Sequence, residues 1–366
     1  MTTLQATDRA VAELSLGSLD VRGLARRLAV PALVAGAAMF AVIALGHAHT
    51  VVADIERGLR VSPGWAALAV LLECASLAAY VALLSMVAGR ATHRVGWRES
   101  AQITFAGAAV TRLLPTAGAG GIGLTIWTLR RAGMSTRSAS KTLLTFLVLL
   151  YAAFLLALAA AGGVLALGLV PGHGPEQLSA APAVAALGAI TICVLLALRG
   201  RGVSRMAAAG GRAGRVAGAA LLLGEAVREA WQLIRSGDSR GVGAVAYWGF
   251  DAAVLWAMLH ALGQPPALPV VVLAYFAGQV ANTLPIPGSV SGGIAGVLIA
   301  FAVPAELALP AVLAYRAVSV WLPTPMAIAS VPALRATVAG WATGAGEGIE
   351  RESGARAGAA CFTNVR

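Results

Sequence analysis

Long stretches of apolar residues, almost free of charge, constrain this chain more than any other feature. A helix needs about 20 residues to cross the hydrocarbon core of a membrane. Six stretches reach that length, at roughly 28–46, 65–88, 141–170, 181–198, 241–262 and 308–333. Hydrophobic residues make up 58% of the chain and charged residues 12%, whereas soluble domains carry about 25% charged residues. The sequence therefore excludes an ordinary soluble protein and predicts an all-α polytopic integral membrane protein.

Two other apolar regions, 99–129 and 268–303, are interrupted near their middle by proline and glycine. The interruptions run from Pro115 to Gly123 and from Pro285 to Gly293. Each half-segment is about 14 residues long and rises about 21 Å, which is too short to cross the membrane. We predict that each region is a re-entrant helical hairpin, which enters and leaves on the same side.

The positions of the basic residues predict the orientation. The 27 Lys and Arg against 16 Asp and Glu give a net charge of +11, and cytoplasmic loops are the ones enriched in Lys and Arg. With both hairpins re-entrant, most basic residues fall on one side. We therefore expect a cell-membrane protein with both termini cytoplasmic: a tail at 1–27, a transmembrane domain at 28–335 and a tail at 336–366. A basic chain can also bind nucleic acid, but charges confined to the gaps between spans favour anionic phospholipids and no nucleic acid.

The basic cytoplasmic loop at 199–240 has its own pattern. Apolar residues recur there at three- and four-residue spacing, as expected of an amphipathic helix; they are Val216, Ala220, Leu223, Val227, Trp231 and Ile234. Such a helix could lie on anionic headgroups, or it could be a solvated connector with a charged face.

Parts of the sequence repeat. Phe105-Ala106-Gly107 recurs as Phe276-Ala277-Gly278, 171 residues later, and Leu114-Pro115 recurs as Leu284-Pro285. The order of full helix, broken pair and long helix is the same in repeat one, 65–170, and repeat two, 241–335. Because the two hairpins would open to opposite sides, we predict an inverted repeat, an arrangement typical of alternating-access carriers with a site at the midplane. Function should lie where the two breaks meet.

Two motifs carry a family resemblance. The first is Thr111-Arg112-Leu113-Leu114-Pro115 with Gly118, Gly120 and Gly121; the second is Asn282-Thr283-Leu284-Pro285-Ile286-Pro287-Gly288 with Gly292-Gly293, then Tyr315-Arg316 and Trp321-Leu322-Pro323. Together they resemble the lysylphosphatidylglycerol synthase transmembrane family, the flippase-like region. The resemblance implies a multi-helix membrane protein that moves modified anionic phospholipids between leaflets. Only about 30 polar residues follow Arg335, with no counterpart of the soluble aminoacyl-transferase domain, so we expect no enzyme activity.

Four ionisable residues lie at membrane depth: Glu73, Arg112, Asp251 and Arg316. Each costs about 2.5–3.5 kcal/mol to insert at a helix centre, so such groups normally face a partner or a wet cavity. The acidic pair could simply neutralise the two arginines, or act in ion coupling. Alternatively, the arginines could bind a lipid phosphate, since a guanidinium donates two hydrogen bonds to it.

The candidate substrate-binding residues follow from the motifs and the charges. They are Arg112, Pro115, Gly120, Gly121, Asn282, Thr283, Pro285, Pro287, Gly288, Gly292, Gly293, Tyr315 and Arg316. The amide ends of the broken helices would favour phosphate. The glycines could instead serve tight turns and close helix contacts, and the Asn and Thr could cap helix ends.

The sequence gives no reason to expect a metal, a cofactor or catalytic residues. His47 and His49 have no further ligand nearby, and no phosphate-binding loop or nucleophile–base set is present. The leading hypothesis is a flippase-like translocator of an anionic or aminoacylated polar lipid. The alternatives are a proton-coupled carrier for a small solute and a non-transporting partner of a lipid- or glycan-modifying enzyme.

Overall fold

A computed structural model of the chain describes residues 61–113, 119–170, 174–198, 211–282 and 288–341, apart from the side chains of 112, 113, 119, 212 and 213. Within these residues the regular secondary structure is entirely helical, which confirms the predicted all-α class. The predicted span at 28–46 lies outside the described residues, so the total of six spans stays a prediction.

The described helices follow one another with short connections. They are α1 (Pro63–Ala91), α2 (Trp97–Leu113), α3 (Ala119–Arg131), α4 (Thr136–Ala166), α5 (Glu176–Leu198), α6 (Gly211–Arg235), α7 (Gly243–Leu262), α8 (Leu268–Ala281), α9 (Ser289–Ala300) and α10 (Ala305–Arg316). A short 3₁₀ helix, Ser239–Val242, precedes α7. After α10 come a π-helical turn, Ala317–Trp321, and a further helical stretch at 323–341.

Five of the predicted spans appear as helices long and apolar enough to cross a membrane within the described part of the chain. They are Pro63–Ala91, Thr136–Ala166, Glu176–Leu198, Ser239–Leu262 and the interrupted helix Ala305–Trp341. Local chemistry explains some of the boundaries. Pro63 takes the first helical position of α1, where no N–H is needed. The Ser135 hydroxyl caps α4 by accepting a 3.2 Å hydrogen bond from the N–H of Ser138.

Helices α1 and α7 cross at the centre of the molecule in opposite directions. Near the middle, the Ser76 hydroxyl donates to the carbonyl oxygen of Tyr247 at 2.9 Å. At one end Trp65 stacks on His260, with ring centroids 5.5 Å apart. Ser76 and Tyr247 are separated by 171 residues, the spacing of the sequence repeat. The antiparallel crossing is what an inverted repeat requires, although the repeat itself stays a prediction.

Each of the two broken regions forms a pair of short helices that doubles back on itself. The four helices contain 17, 13, 14 and 12 residues, or about 18–26 Å at 1.5 Å per residue. In the first pair, a Cβ added to Gly107 would lie 3.7 Å from the Cα of Gly121. In the second, a Cβ added to Gly293 would lie 3.1 Å from the Cα of Gly278. Both hairpins therefore close through a glycine–glycine contact at corresponding positions.

The predicted helix in the basic loop is present as α6. Salt bridges join it to the start of α4, with Arg137–Glu225 at 3.2 Å and Lys141–Glu229 at 2.7 Å. Its buried side is made of small residues, Ala217, Ala226 and Ala230, together with Leu233. The apolar residues that stay exposed include Val216, Trp231 and Ile234. The buried face is thus offset from the predicted apolar stripe, because alanines allow the closest approach to α4 and α5.

Candidate functional site

A cavity of about 550 Å³ lies where the two hairpins meet α1, α4, α7 and α10. Its walls combine apolar side chains with polar groups. The polar groups are Glu73, Tyr80, Thr104, Thr111, Thr125, Tyr247, Asp251, Gln279, Asn282, Tyr315, Arg316 and Ser319. The functional site was predicted where the two helix breaks meet, and residues of both hairpins line the cavity.

The cavity lies toward the ends of the helices that carry the basic residues. In α4 it is lined by Leu143, Phe146 and Leu147, close to the basic start of that helix. In α7 it is lined by Tyr247 and Asp251, in the first half of the helix. The second half of α7 is buried in the core, through Val254, Leu255, Ala257, Met258 and Leu259.

Two carboxylates lie in the cavity wall. Glu73 on α1 is 4% exposed and Asp251 on α7 is 8% exposed. The Tyr275 hydroxyl donates a 2.6 Å hydrogen bond to Oδ2 of Asp251. The Tyr315 side chain also lies close enough to Asp251 to interact with it. A buried carboxylate is costly unless polar groups pair with it, and the two tyrosines supply such groups here.

Arg316 brings a positive charge to the cavity wall. It ends α10, directly before the π-helical turn, and its side chain reaches the same cavity as the two carboxylates. Arg316 is close enough to act electrostatically on Asp251, but it forms no ion pair within 4.0 Å with any described acidic side chain. π-helical turns interrupt α-helices frequently at functional sites. Arg316 is therefore available to a ligand in the cavity.

Sequence reasoning predicted Tyr315 but missed Tyr80 and Tyr247, the other tyrosines that line this cavity. Tyr80 packs edge-on against both Tyr247 and Phe146, with ring centroids 5.0 Å apart in each case. A signal was present in the spacing: Tyr247 precedes Asp251 by four residues, and Tyr80 follows Glu73 by seven. Residues at these spacings share one face of a helix, so each tyrosine had to face the same way as a carboxylate.

The two hairpin tips contribute corresponding residues. The last cavity-lining residue of the first helix is Thr111 in the first hairpin and Asn282, 171 residues later, in the second. Ala108 and Gln279, also 171 residues apart, line the cavity as well. The Thr111 hydroxyl accepts a 3.2 Å hydrogen bond from the N–H of Gly121. It thereby pairs one of the first N–H groups of α3, which have no partner within the helix itself, as a capping residue does.

The structure brings part of the predicted set together. The predicted residues that line the cavity are Glu73, Gly121, Asp251, Asn282, Tyr315 and Arg316. Gly120, in the first turn of α3, is half-buried. Pro115, Thr283, Pro285, Pro287 and the Arg112 side chain lie outside the described residues.

The three glycines of the second motif occupy three different positions in the second hairpin. Gly293 packs against Gly278 within the hairpin, so its role is to allow close contact between the two helices. Gly288 has a φ of 81° and precedes α9 as its N-cap, a conformation that favours glycine. Gly292 is exposed and would accept a Cβ without any atom within 4 Å. None of these three lines the described cavity.

The cavity offers groups that can bind a polar or charged ligand. One guanidinium, two carboxylates and several hydroxyls can satisfy a polar or charged group at membrane depth, where water and lipid do not. Among the described residues, no group of three or more His, Cys, Asp or Glu could hold a metal ion.

These features define an all-α polytopic membrane protein with a polar cavity between two broken helical hairpins. The sequence model of the lysylphosphatidylglycerol synthase transmembrane region matches residues 28–327. The chain belongs to this family, which confirms the resemblance found in the motifs and relates the protein to lipid-modifying and flippase-like membrane proteins. Comparison with curated proteins gave no match.

Proposed function

We propose that the protein is flippase-like and binds or translocates an anionic or aminoacylated polar lipid in the cell membrane, with both termini cytoplasmic. The observation that carries the proposal is the cavity of about 550 Å³, which holds Arg316 and two carboxylates between the hairpins. Pockets for small ligands measure about 300–1,000 Å³, so the volume suits a lipid headgroup. The acyl chains would stay in the bilayer.

Arg316 is proposed to bind the lipid phosphate. A guanidinium can donate two parallel hydrogen bonds to phosphate, and the positive end of the α3 helix dipole adds a partial positive charge. The headgroup would enter beside the hairpins, from the helix ends that carry the basic residues. Rocking of one repeat against the other would then expose it to the opposite side.

The acidic side of the cavity supports an amine on the same headgroup. Glu73 and Asp251 would attract an ammonium group, and the faces of Tyr80 and Tyr247 would add a cation–π contribution. An aminoacylated lipid carries both the phosphate and the amine. The proposal assigns the chain no catalytic step and takes membrane phospholipids as its partners.

Leaflet exchange in liposomes tests this function. Purified protein is reconstituted with a fluorescent anionic phospholipid or its aminoacylated form, and an impermeant quencher reports the fraction in each leaflet. We expect faster exchange with the wild-type protein and its loss in Arg316→Ala, while Arg316→Lys keeps part of the rate because it retains the charge. Arg335→Ala is the matched control, since Arg335 is exposed in the helical stretch after the cavity. A folded wild-type protein that exchanges neither lipid would refute the proposal.

A second candidate is a proton-coupled carrier for a small solute. The buried carboxylate of Asp251, which lines the cavity, favours it because a coupling site must take up and release a proton. Solute uptake driven by a pH gradient, abolished in Asp251→Asn and independent of lipid composition, would support this candidate over the first.

A third candidate, a non-transporting partner of a lipid- or glycan-modifying enzyme, rests on the exposed Trp231 of α6. Inactivity in both transport assays together with co-purification of such an enzyme, lost in Trp231→Ala, would favour it.

A further inference from the structure

An aromatic cluster, called the plug below, packs beside the cavity where α4, α7 and α8 meet. It consists of Phe154, Trp248, Tyr275 and Phe276, all of them buried. The ring centroids of Phe154 and Phe276 are 4.6 Å apart, and those of Phe154 and Trp248 are 5.3 Å apart. The plug thus joins α4, α7 and α8 in one packed cluster.

The same sequence positions are open in the first repeat. Leu77, Thr104 and Phe105 line the cavity. The residues 171 positions later are Trp248, Tyr275 and Phe276, which form the plug. Positions that line the cavity in the first repeat are therefore occupied by buried aromatic rings in the second.

Two hydrogen bonds hold the plug. The indole N–H of Trp248 donates to the carbonyl oxygen of Leu150 at 2.8 Å, which ties α7 to α4. The Tyr275 hydroxyl donates to Asp251 at 2.6 Å, which ties α8 of the second hairpin to a residue of the cavity wall. The second bond connects the plug directly to the binding site.

We propose that Tyr275 is a positioning residue that latches the plug shut through Asp251. While the bond is intact, the second hairpin stays packed against α7. A polar group that enters the cavity and engages Asp251 competes with Tyr275, and the latch weakens. The inference rests on the proposed function in that a ligand must reach Asp251, but the latch itself can be tested without any lipid movement.

Cysteine accessibility measures the latch. Val271 is fully buried and precedes Tyr275 by four residues, so it occupies the same face of α8 one turn farther from the cavity. Val271→Cys is introduced into a chain in which Cys74, Cys193 and Cys361 are replaced by Ser, and its rate of reaction with an impermeant maleimide is measured in proteoliposomes. Tyr275→Phe should raise this rate at least about tenfold, the factor expected for losing one hydrogen bond to a charged acceptor.

Tyr151→Phe is the matched control. Tyr151 touches the edge of the plug, 6.4 Å from Trp248 between ring centroids, but its hydroxyl is not bonded to Asp251. This variant should leave the labelling rate unchanged. Equal rates in the two variants would overturn the latch. If Tyr275→Phe does not fold, Asp251→Ala removes the acceptor instead and must give the same increase.

Parallel lipid-exchange measurements separate this inference from the proposed function. Faster labelling in Tyr275→Phe without exchange of any lipid would keep the latch and refute lipid translocation. Unchanged labelling in a protein that exchanges lipid would refute the latch alone.

Discussion

Two adjacent glycines of α9 offer a sharp test of the hairpin packing. A Cβ added to Gly292 meets no atom within 4 Å. A Cβ added to Gly293 would lie 3.0 Å from the Cβ of Ala281, 3.1 Å from the Cα of Gly278 and 3.2 Å from the carbonyl oxygen of Ala277. Two of these three atoms belong to the backbone, so relief requires the helices to separate. Overpacking of this kind costs about 1–3 kcal/mol.

The comparison of Gly293→Ala with Gly292→Ala isolates that cost. Both substitutions gain about the same helix propensity, near 1 kcal/mol relative to glycine, so this contribution cancels in the difference. We expect Gly292→Ala to be neutral or slightly stabilising and Gly293→Ala to be less stable than it by about 1–3 kcal/mol. Reversible unfolding of both variants in the same detergent measures the difference. Equal stability of the two variants would refute the close contact between α8 and α9.

Three further predictions concern stability in the same unfolding assay. The side chain and backbone N–H of Arg240 lower the pKa of Asp238 to about 2. The stability that the ionised Asp238 carboxylate contributes is therefore fully present above about pH 4 and is lost as the pH falls through about 2. The stability difference between wild type and Asp238→Asn should therefore be constant between about pH 5 and 8; a slope there would contradict this. Trp248→Phe should cost about 1–3 kcal/mol because it removes the indole hydrogen bond to the carbonyl oxygen of Leu150 and part of a buried ring, and a neutral effect would argue against that bond. Lys141→Met should cost at most about 1 kcal/mol, since its pair with Glu229 is partly exposed; a larger loss would indicate a stronger role.

The sequence was sufficient wherever local chemistry decides. Continuous apolar stretches predicted the spans, because an unpaired backbone is too costly in lipid for any structure but a helix there. Proline and glycine predicted that helices would break at 115–123 and 285–293, and the structure has separate short helices on either side of both positions. The second family motif also predicted Tyr315 and Arg316 as site residues, and both line the cavity.

Contacts between distant residues could not be predicted in this way. Asp251 was singled out as a buried charge, but its partner Tyr275 lies 24 residues away on another helix. The face that α6 buries was also not predictable from its apolar stripe. Helix α6 buries alanines rather than its larger apolar residues, because small side chains let it pack closely against α4 and α5. The surface of α4 and α5 that it packs against exists only in the packed bundle.

The sequence by itself determined that the chain spans a membrane with helices, where those helices break, and which charges lie at membrane depth. These properties follow from residue types over one helix length, because the transfer of side chains and backbone into lipid is a local free energy. Only the tertiary structure decided that Glu73, Asp251 and Arg316 share one cavity, and that the rings of Phe154, Trp248 and Phe276 pack together beside it. That outcome depends on how α1 and α7 cross and on which side chains fill the space between the hairpins, and both are set by packing across the whole bundle.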